Sequence, residues 1–169
     1  MIKPESIKIV NLYFTPFATA LILIALLISN PGVTYTVGFL CLMLFSIVFN
    51  NLTSYFAKRE QKWSNLIGVV RLFFNLFMNI IIVYFLGKFW GPLWLLFVLT
   101  PIATAIYSST RNTIVMALLC SLTLMLIYLV RGLSGIVGWG QAISHVLFII
   151  VISLFVHNLI LVTYRPDTR

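Results

Sequence analysis

Apolar positions in this chain form long runs that are separated by short polar or glycine-containing turns. From these runs we predict six helices, at residues 9–29, 33–56, 64–86, 93–107, 112–130 and 139–162. A run of about 20 mostly apolar residues is long enough to cross a bilayer as a helix. The pattern therefore predicts an all-α membrane protein, in which residues 1–169 form a single domain of six transmembrane helices with no soluble domain.

The turns between the runs carry residues that end helices. In Asn30-Pro31-Gly32 the proline fixes one φ angle and the glycine frees the next, which is typical of a tight turn. The other predicted turns lie at residues 58–63, 87–92, 108–111 and 132–138. The fourth helix is the shortest, and its Pro101 is the one feature that resembles a broken helix.

Composition supports membrane insertion. Hydrophobic residues make up 62% of the chain and charged residues 8%, with a mean hydropathy of +1.11. Soluble domains contain about 25% charged residues. The net charge of +8 does not indicate a nucleic-acid partner, because the basic residues lie at the ends of apolar runs, next to membrane lipid.

The distribution of basic residues predicts the orientation. With both termini in the cytoplasm, eight of the eleven Lys and Arg residues fall on the inner side and two on the outer side, while Arg71 lies within the third helix. Such a bias is the positive-inside signal of a bacterial inner-membrane protein. Interfacial tryptophans agree, with Trp63 at the inner boundary and three others at the outer one, Trp90, Trp94 and Trp139.

One polar stripe stands out within the apolar runs. Arg71, Asn75 and Asn79 follow one another at four-residue spacing, so they share one face of the third helix. In one interpretation Arg71 snorkels to the inner headgroups and the asparagines hydrogen-bond between helices. In the other, the stripe lines a site for a polar or quinone-like head group, or faces an acid on a partner chain.

Other candidate chemistry is sparse. His145 and His157 are twelve residues apart in the sixth helix, about 18 Å along its axis, so they cannot bind one metal ion, and we expect both to form interhelical contacts. Cys41 and Cys120 lie in apolar runs without metal-ligand spacing, so we expect no metal site. Since the sequence shows no positioned nucleophile, carboxylate pair or phosphate loop, we expect no catalysis.

Residues 83–101 carry a resemblance to a known family. They are similar to the membrane part of bacterial sensor histidine kinases, closest to the RegB-type redox sensors. In that family a loop of the form Gly-Gly-x-x-Asn-Pro-Phe joins helices three and four on the outer side and is associated with quinone. Residues 87–93 read Gly-Lys-Phe-Trp-Gly-Pro-Leu, which keeps the first Gly and the Pro and has Lys, Gly and Leu at the other three positions.

The resemblance implies a non-catalytic sensor or ligand-binding module that responds to quinone or another lipid-soluble ligand and acts on a separate kinase. The candidate ligand-binding residues are then Arg71, Asn75, Asn79, Gly87, Trp90 and Pro92, and the candidate partner-facing residues are Arg59, Arg111 and His157. The alternative is an accessory or structural subunit of a larger membrane complex. A small transporter is a third and weaker hypothesis.

Overall fold

The computed structural model describes residues 4–59, 63–88 and 90–163, and in these ranges every regular element is helical. The prediction of an all-α fold with six helices is therefore confirmed for the described residues. In chain order the elements are α1 (Pro4–Ser29), α2 (Val33–Arg59), α3 (Ser64–Leu86), a 3₁₀ segment (Gly91–Leu95), α4 (Leu96–Tyr107), α5 (Thr110–Val130) and α6 (Gly135–Thr163).

Five of these helices are long and apolar enough to cross a membrane. The apolar stretches are Leu12–Ser29, Val33–Ala57, Leu66–Leu86, Thr110–Val130 and Gly135–Val162. A sixth apolar stretch, Gly91–Ile106, is shorter and combines the 3₁₀ segment with most of α4. By length and composition, the chain is thus compatible with a multi-pass membrane protein.

Three predicted helix starts were wrong. α1 begins at Pro4 rather than at residue 9, because the helix continues beyond its apolar run into the polar residues before it. α5 begins at Thr110 rather than at residue 112, because the Ser109 side chain accepts a hydrogen bond from the backbone N–H of Asn112 at 3.4 Å and so caps the helix earlier. α6 begins at Gly135 rather than at residue 139, because the turn before it is completed by Gly132 and Gly135 with φ angles of +80° and +71°.

The predicted fourth helix also differs from the observed one. Its first residues wind as a 3₁₀ helix, Gly91–Leu95, before α4 begins at Leu96. Pro92 lies in the first turn of that segment, where its missing N–H leaves no helical hydrogen bond unmade. The predicted bounds of the third helix, 64–86, are confirmed by α3.

Replacing Gly132 with Ala is expected to lower the free energy of unfolding by about 1 kcal/mol, since an L-residue with a side chain is strained at this positive φ. Space is not the cause, because an added Cβ at Gly132 meets no atom within 4 Å. Gly140→Ala, inside α6 and equally open, is the control and is expected to be neutral or stabilising. Unfolding in mixed micelles measures both, and equal effects would contradict the strain argument.

Contacts divide the chain into two compact units, Met1–Leu96 and Phe97–Arg169. In the first unit α2 packs against α3, and α1 packs against both helices and the 3₁₀ segment. In the second unit α5 and α6 pack along each other. The most deeply buried apolar side chains include Leu93 and Leu96 in the first unit, and Leu124 and Ile149 in the second.

Large apolar side chains also cover the outside of the long helices. Leu122, in the middle of α5, is 64% exposed, and Val151 in α6 is 63% exposed. Soluble proteins rarely leave continuous apolar patches of this kind in contact with water. The outer faces of the helices are therefore suited to lipid or to another membrane protein.

Candidate functional site

Polar side chains face one another in a regular series along α2 and α3. On each helix they recur every fourth residue, so each set forms one stripe. We call the six residues the polar ladder: Ser46, Asn50 and Ser54 on α2, and Arg71, Asn75 and Asn79 on α3. Each step of four residues toward the end of α2 is matched by a step of four toward the start of α3, as an antiparallel pair requires.

The middle of the ladder is a reciprocal pair of amides. Asn50 Nδ2 donates to Asn75 Oδ1 at 3.0 Å, and Asn75 Nδ2 donates back to Asn50 Oδ1 at 3.3 Å. Such bonds hold helices together in lipid, where a polar group has few other partners. The pair therefore stabilises the observed longitudinal register of α2 against α3.

Arg71 is buried beside this pair, with 8% of its surface exposed. Its Nη1 donates to Ser54 Oγ at 3.0 Å and its Nε to Asn50 Oδ1 at 3.4 Å. Since Ser54 is nearer the C-terminal end of α2 than Asn50 is, the guanidinium extends toward the end of the helix pair at which α2 ends and α3 begins. This direction agrees with snorkelling toward the nearer membrane surface.

The third position of the ladder is arranged differently. Asn79 Nδ2 donates to the backbone carbonyl of Leu96, the first residue of α4, at 2.9 Å. Ser46 Oγ is buried, and among the described residues it has no hydrogen-bond partner. Several other helical hydroxyls donate to the carbonyl four residues earlier, as Thr53, Ser54, Thr104, Thr123 and Ser153 do.

The turn residues proposed for ligand binding form a separate group. Gly87 N–H donates to the Val83 carbonyl at 3.0 Å and closes α3, and Trp90 N–H reaches the Leu86 carbonyl at 3.3 Å. Gly87 follows Asn79 by eight residues, about 12 Å along a helix axis. The structure thus brings Arg71, Asn75 and Asn79 onto one face, and it places Gly87, Trp90 and Pro92 beyond the end of that face.

The three candidate partner-facing residues have different surroundings. Arg59 is exposed at the last position of α2, and Arg111 is exposed in the first turn of α5. His157 is only 3% exposed, and its ring contacts Thr110 and Ala105 of this chain. The first two therefore remain available to a partner, whereas His157 contacts other helices of its own unit.

His157 joins three helices of the second unit. Its Nδ1 lies 3.3 Å from the Ala105 carbonyl in α4, and its Nε2 lies 2.8 Å from Thr110 Oγ1 in α5. Because a carbonyl oxygen only accepts, Nδ1 carries the proton and donates, and in the neutral ring Nε2 accepts from the Thr110 hydroxyl. Both bonds hold the C-terminal part of α6 against α4 and α5.

His145 makes a second bridge between α5 and α6. Its Nδ1 lies 2.6 Å from the Tyr128 hydroxyl, and the Ser121 hydroxyl donates to the Val146 carbonyl at 3.3 Å nearby. The prediction that both histidines form interhelical contacts is therefore confirmed. Each histidine has its own partners, so the two connect α6 to neighbouring helices at different positions along its length.

The α2 half of the ladder was not predicted from the sequence. A usable signal existed, because Ser46, Asn50 and Ser54 repeat the four-residue spacing of the α3 stripe. Within the described ranges, no group of three His, Cys, Asp or Glu residues is placed to hold a metal ion. Comparison with protein families, curated proteins and solved structures finds no match for this chain. The polar ladder is therefore the feature of this chain that points most directly to a function.

Proposed function

We propose that this chain is a non-catalytic membrane sensor, a ligand-binding module that responds to a lipid-soluble molecule and acts on a separate protein. One observation supports this function most strongly, namely the polar ladder with its buried Arg71 between two helices of membrane-spanning length. Ionisable residues within the membrane are costly, and they commonly mark ligand sites, relays or switches.

The proposed ligand is a quinone or another apolar molecule with a polar head group. The amides of Asn50 and Asn75 and the guanidinium of Arg71 offer donors that a carbonyl oxygen of such a head group accepts. The similarity of residues 83–101 to quinone-associated sensors supports the same ligand class. A ligand that competes for ladder hydrogen bonds also affects Asn79, which binds the start of α4 at Leu96.

The proposed orientation has six crossings and both termini in the cytoplasm of a bacterial cell. Gly91–Leu95 at about 2.0 Å per residue and Leu96–Tyr107 at about 1.5 Å per residue together span up to about 28 Å, close to the hydrocarbon thickness of about 30 Å. The charge bias supports this sixth crossing, since without it Arg111 and all later basic residues change sides.

Cysteine labelling tests the sixth crossing. In a chain with Cys41 and Cys120 replaced by Ala, a membrane-impermeant maleimide added to intact cells is expected to label Lys88→Cys. Arg59→Cys and Arg111→Cys are expected to react only after permeabilisation. All three side chains replaced by cysteine are exposed. Labelling of Lys88→Cys and Arg111→Cys from the same side would show that α4 does not cross the membrane.

A specific observation favours a second candidate function, an accessory subunit of a larger membrane complex. Large apolar side chains on α2 and α6, such as Phe45 at 55% and Phe155 at 59% exposed, present faces that a neighbouring subunit can cover. In that case Arg71 and the ladder serve assembly rather than response.

Purification in mild detergent followed by mass spectrometry separates the two functions. A soluble signalling protein that co-purifies supports the sensor, and a fixed set of other membrane subunits supports the accessory role. Arg71→Leu sharpens the comparison. As a sensor the variant still assembles with its partner and loses or locks its response, whereas as a subunit it fails to assemble. Both functions would be contradicted if the wild-type chain purified without any partner and Arg71→Leu gave the same result.

A further inference from the structure

We propose that α2 and α3 pair in two registers one helical turn apart, and that the slide between them is the conformational change of this module. The role of this slide in signalling rests on the proposed sensor function. The two registers themselves rest only on the spacing of the polar ladder. A ligand can drive a response only if the protein has two arrangements that bind it unequally. The polar ladder supplies two such arrangements.

The equal spacing of the two stripes makes a second register available. If α3 moves by four residues, about 6 Å or roughly one helical turn, away from the α2–α3 connection, Arg71 comes level with Asn50 and Asn75 comes level with Ser46. In this register Arg71 and Asn75 are still level with polar side chains, while Ser54 comes level with Ile67 and Asn79 with Leu42. One-turn displacements of packed helices are a known form of protein switching.

Ser46 provides an unused hydrogen-bonding group for the second register. Its hydroxyl is buried and has no partner among the described residues, although it can both donate and accept. In the slid register Asn75 reaches the level of this hydroxyl and can bond to it. Arg71 already bonds to Asn50 through Nε at 3.4 Å, so part of the second arrangement is present in the observed one.

The slide has one favourable direction. Only movement away from the α2–α3 connection brings Asn75 level with the hydroxyl of Ser46. In the favourable direction the flanking residues are adaptable, because the buried Met43 comes level with the buried Met78 instead of Ile82. Methionine side chains are flexible and adjust to a changed neighbour.

A slide of α3 also affects the chain beyond the α2–α3 pair. Asn79 holds the carbonyl of Leu96 at the start of α4, so α3 either carries Leu96 along or breaks this bond. Either result changes the junction between the 3₁₀ segment and α4.

Cysteine cross-linking distinguishes the registers. In a chain with Cys41 and Cys120 replaced by Ala, Met43→Cys with Ile82→Cys reports the observed register, and Met43→Cys with Met78→Cys reports the slid one. With a lipid-permeant oxidant in native membranes, we expect both pairs to form disulfides. Cross-linking of the first pair alone, under all conditions, would overturn the two-register proposal, and so would a failure of both pairs.

Two matched serine variants provide the decisive comparison. Ser54→Ala removes a bond to Arg71 that belongs to the observed register, so it should raise the ratio of slid to observed cross-linking by about threefold, which corresponds to the roughly 0.6 kcal/mol of an interhelical hydrogen bond in a membrane. Ser46→Ala removes the bonding group that the slid register uses, so it should lower the same ratio by a similar factor.

Ser153→Ala is the control, because Ser153 is a buried serine in α6 that bonds within its own helix. It should leave the ratio unchanged. Equal ratios in Ser46→Ala and Ser54→Ala would overturn the slide and leave the sensor proposal intact, since partner recovery in the purification experiment does not depend on cross-linking. Conversely, opposite shifts without a signalling partner would support the slide and contradict the sensor.

Discussion

Asn50→Leu is expected to lower the free energy of unfolding by about 2 kcal/mol, since it removes three hydrogen bonds that Asn50 shares with Asn75 and Arg71. Asn50 exchanges two hydrogen bonds with Asn75 and accepts a third from Arg71 Nε. Leucine fills the space but provides neither a donor nor an acceptor. The Asn75 amide and the Arg71 guanidinium then remain between α2 and α3 with fewer bonds than before.

The neighbouring residue supplies a matched control. Asn51 is exposed on α2, so Asn51→Leu is expected to change the free energy of unfolding by no more than about 0.5 kcal/mol or to increase it. Titration with a denaturing detergent in mixed micelles measures both variants. The double variant Asn50→Leu/Asn75→Leu should lose less than the two single changes together, because each removes the same pair. Equal losses at Asn50 and Asn51 would contradict the ladder.

His157→Ala is expected to have the second large effect, a loss of about 2 to 3 kcal/mol from the second unit. The change removes the bonds to Thr110 Oγ1 and the Ala105 carbonyl and leaves a cavity where a buried ring stood. The C-terminal part of α6 then loses its hydrogen bonds to α4 and α5. The same unfolding measurement reports the loss.

Two further variants show whether the bonds or the bulk of His157 matter. Thr110→Ser keeps the hydroxyl that bonds to Nε2 and should cost little, whereas Thr110→Val removes it and should cost about 1 kcal/mol. Asn158→Ala changes the exposed residue next to His157 and should be nearly neutral. If Thr110→Val and Thr110→Ser behaved alike, the bridge to α5 would contribute no stability.

The long apolar helices could be predicted from the sequence because hydrophobic length alone determines them. The bounds of α3 follow from charges before Ser64 and glycine after Leu86, and both signals are local. The stripe of Arg71, Asn75 and Asn79 was equally visible, since a long polar side chain contrasts strongly with its apolar neighbours. The α2 stripe contrasts less, because small and amide side chains alternate there with phenylalanine and leucine.

Features that depend on tertiary pairing could not be read from the chain. The register of α2 against α3 decides that Ser54 meets Arg71 and that Asn50 meets Asn75, and periodicity along one helix does not contain this register. The burial of His157 depends likewise on where α4 and α5 pack against α6. The 3₁₀ winding before α4 is a local choice of hydrogen-bond geometry that Gly91 and Pro92 permit and do not require.

In the proposed function, the polar ladder belongs to the site of a lipid-soluble ligand. The most direct measurement is native mass spectrometry of the protein released from nanodiscs that contain a short-chain quinone. We expect one quinone per chain in the wild type and in Asn51→Leu, and a loss of at least tenfold in occupancy in Asn50→Leu. A bare wild-type chain, or equal occupancy in both variants, would contradict it.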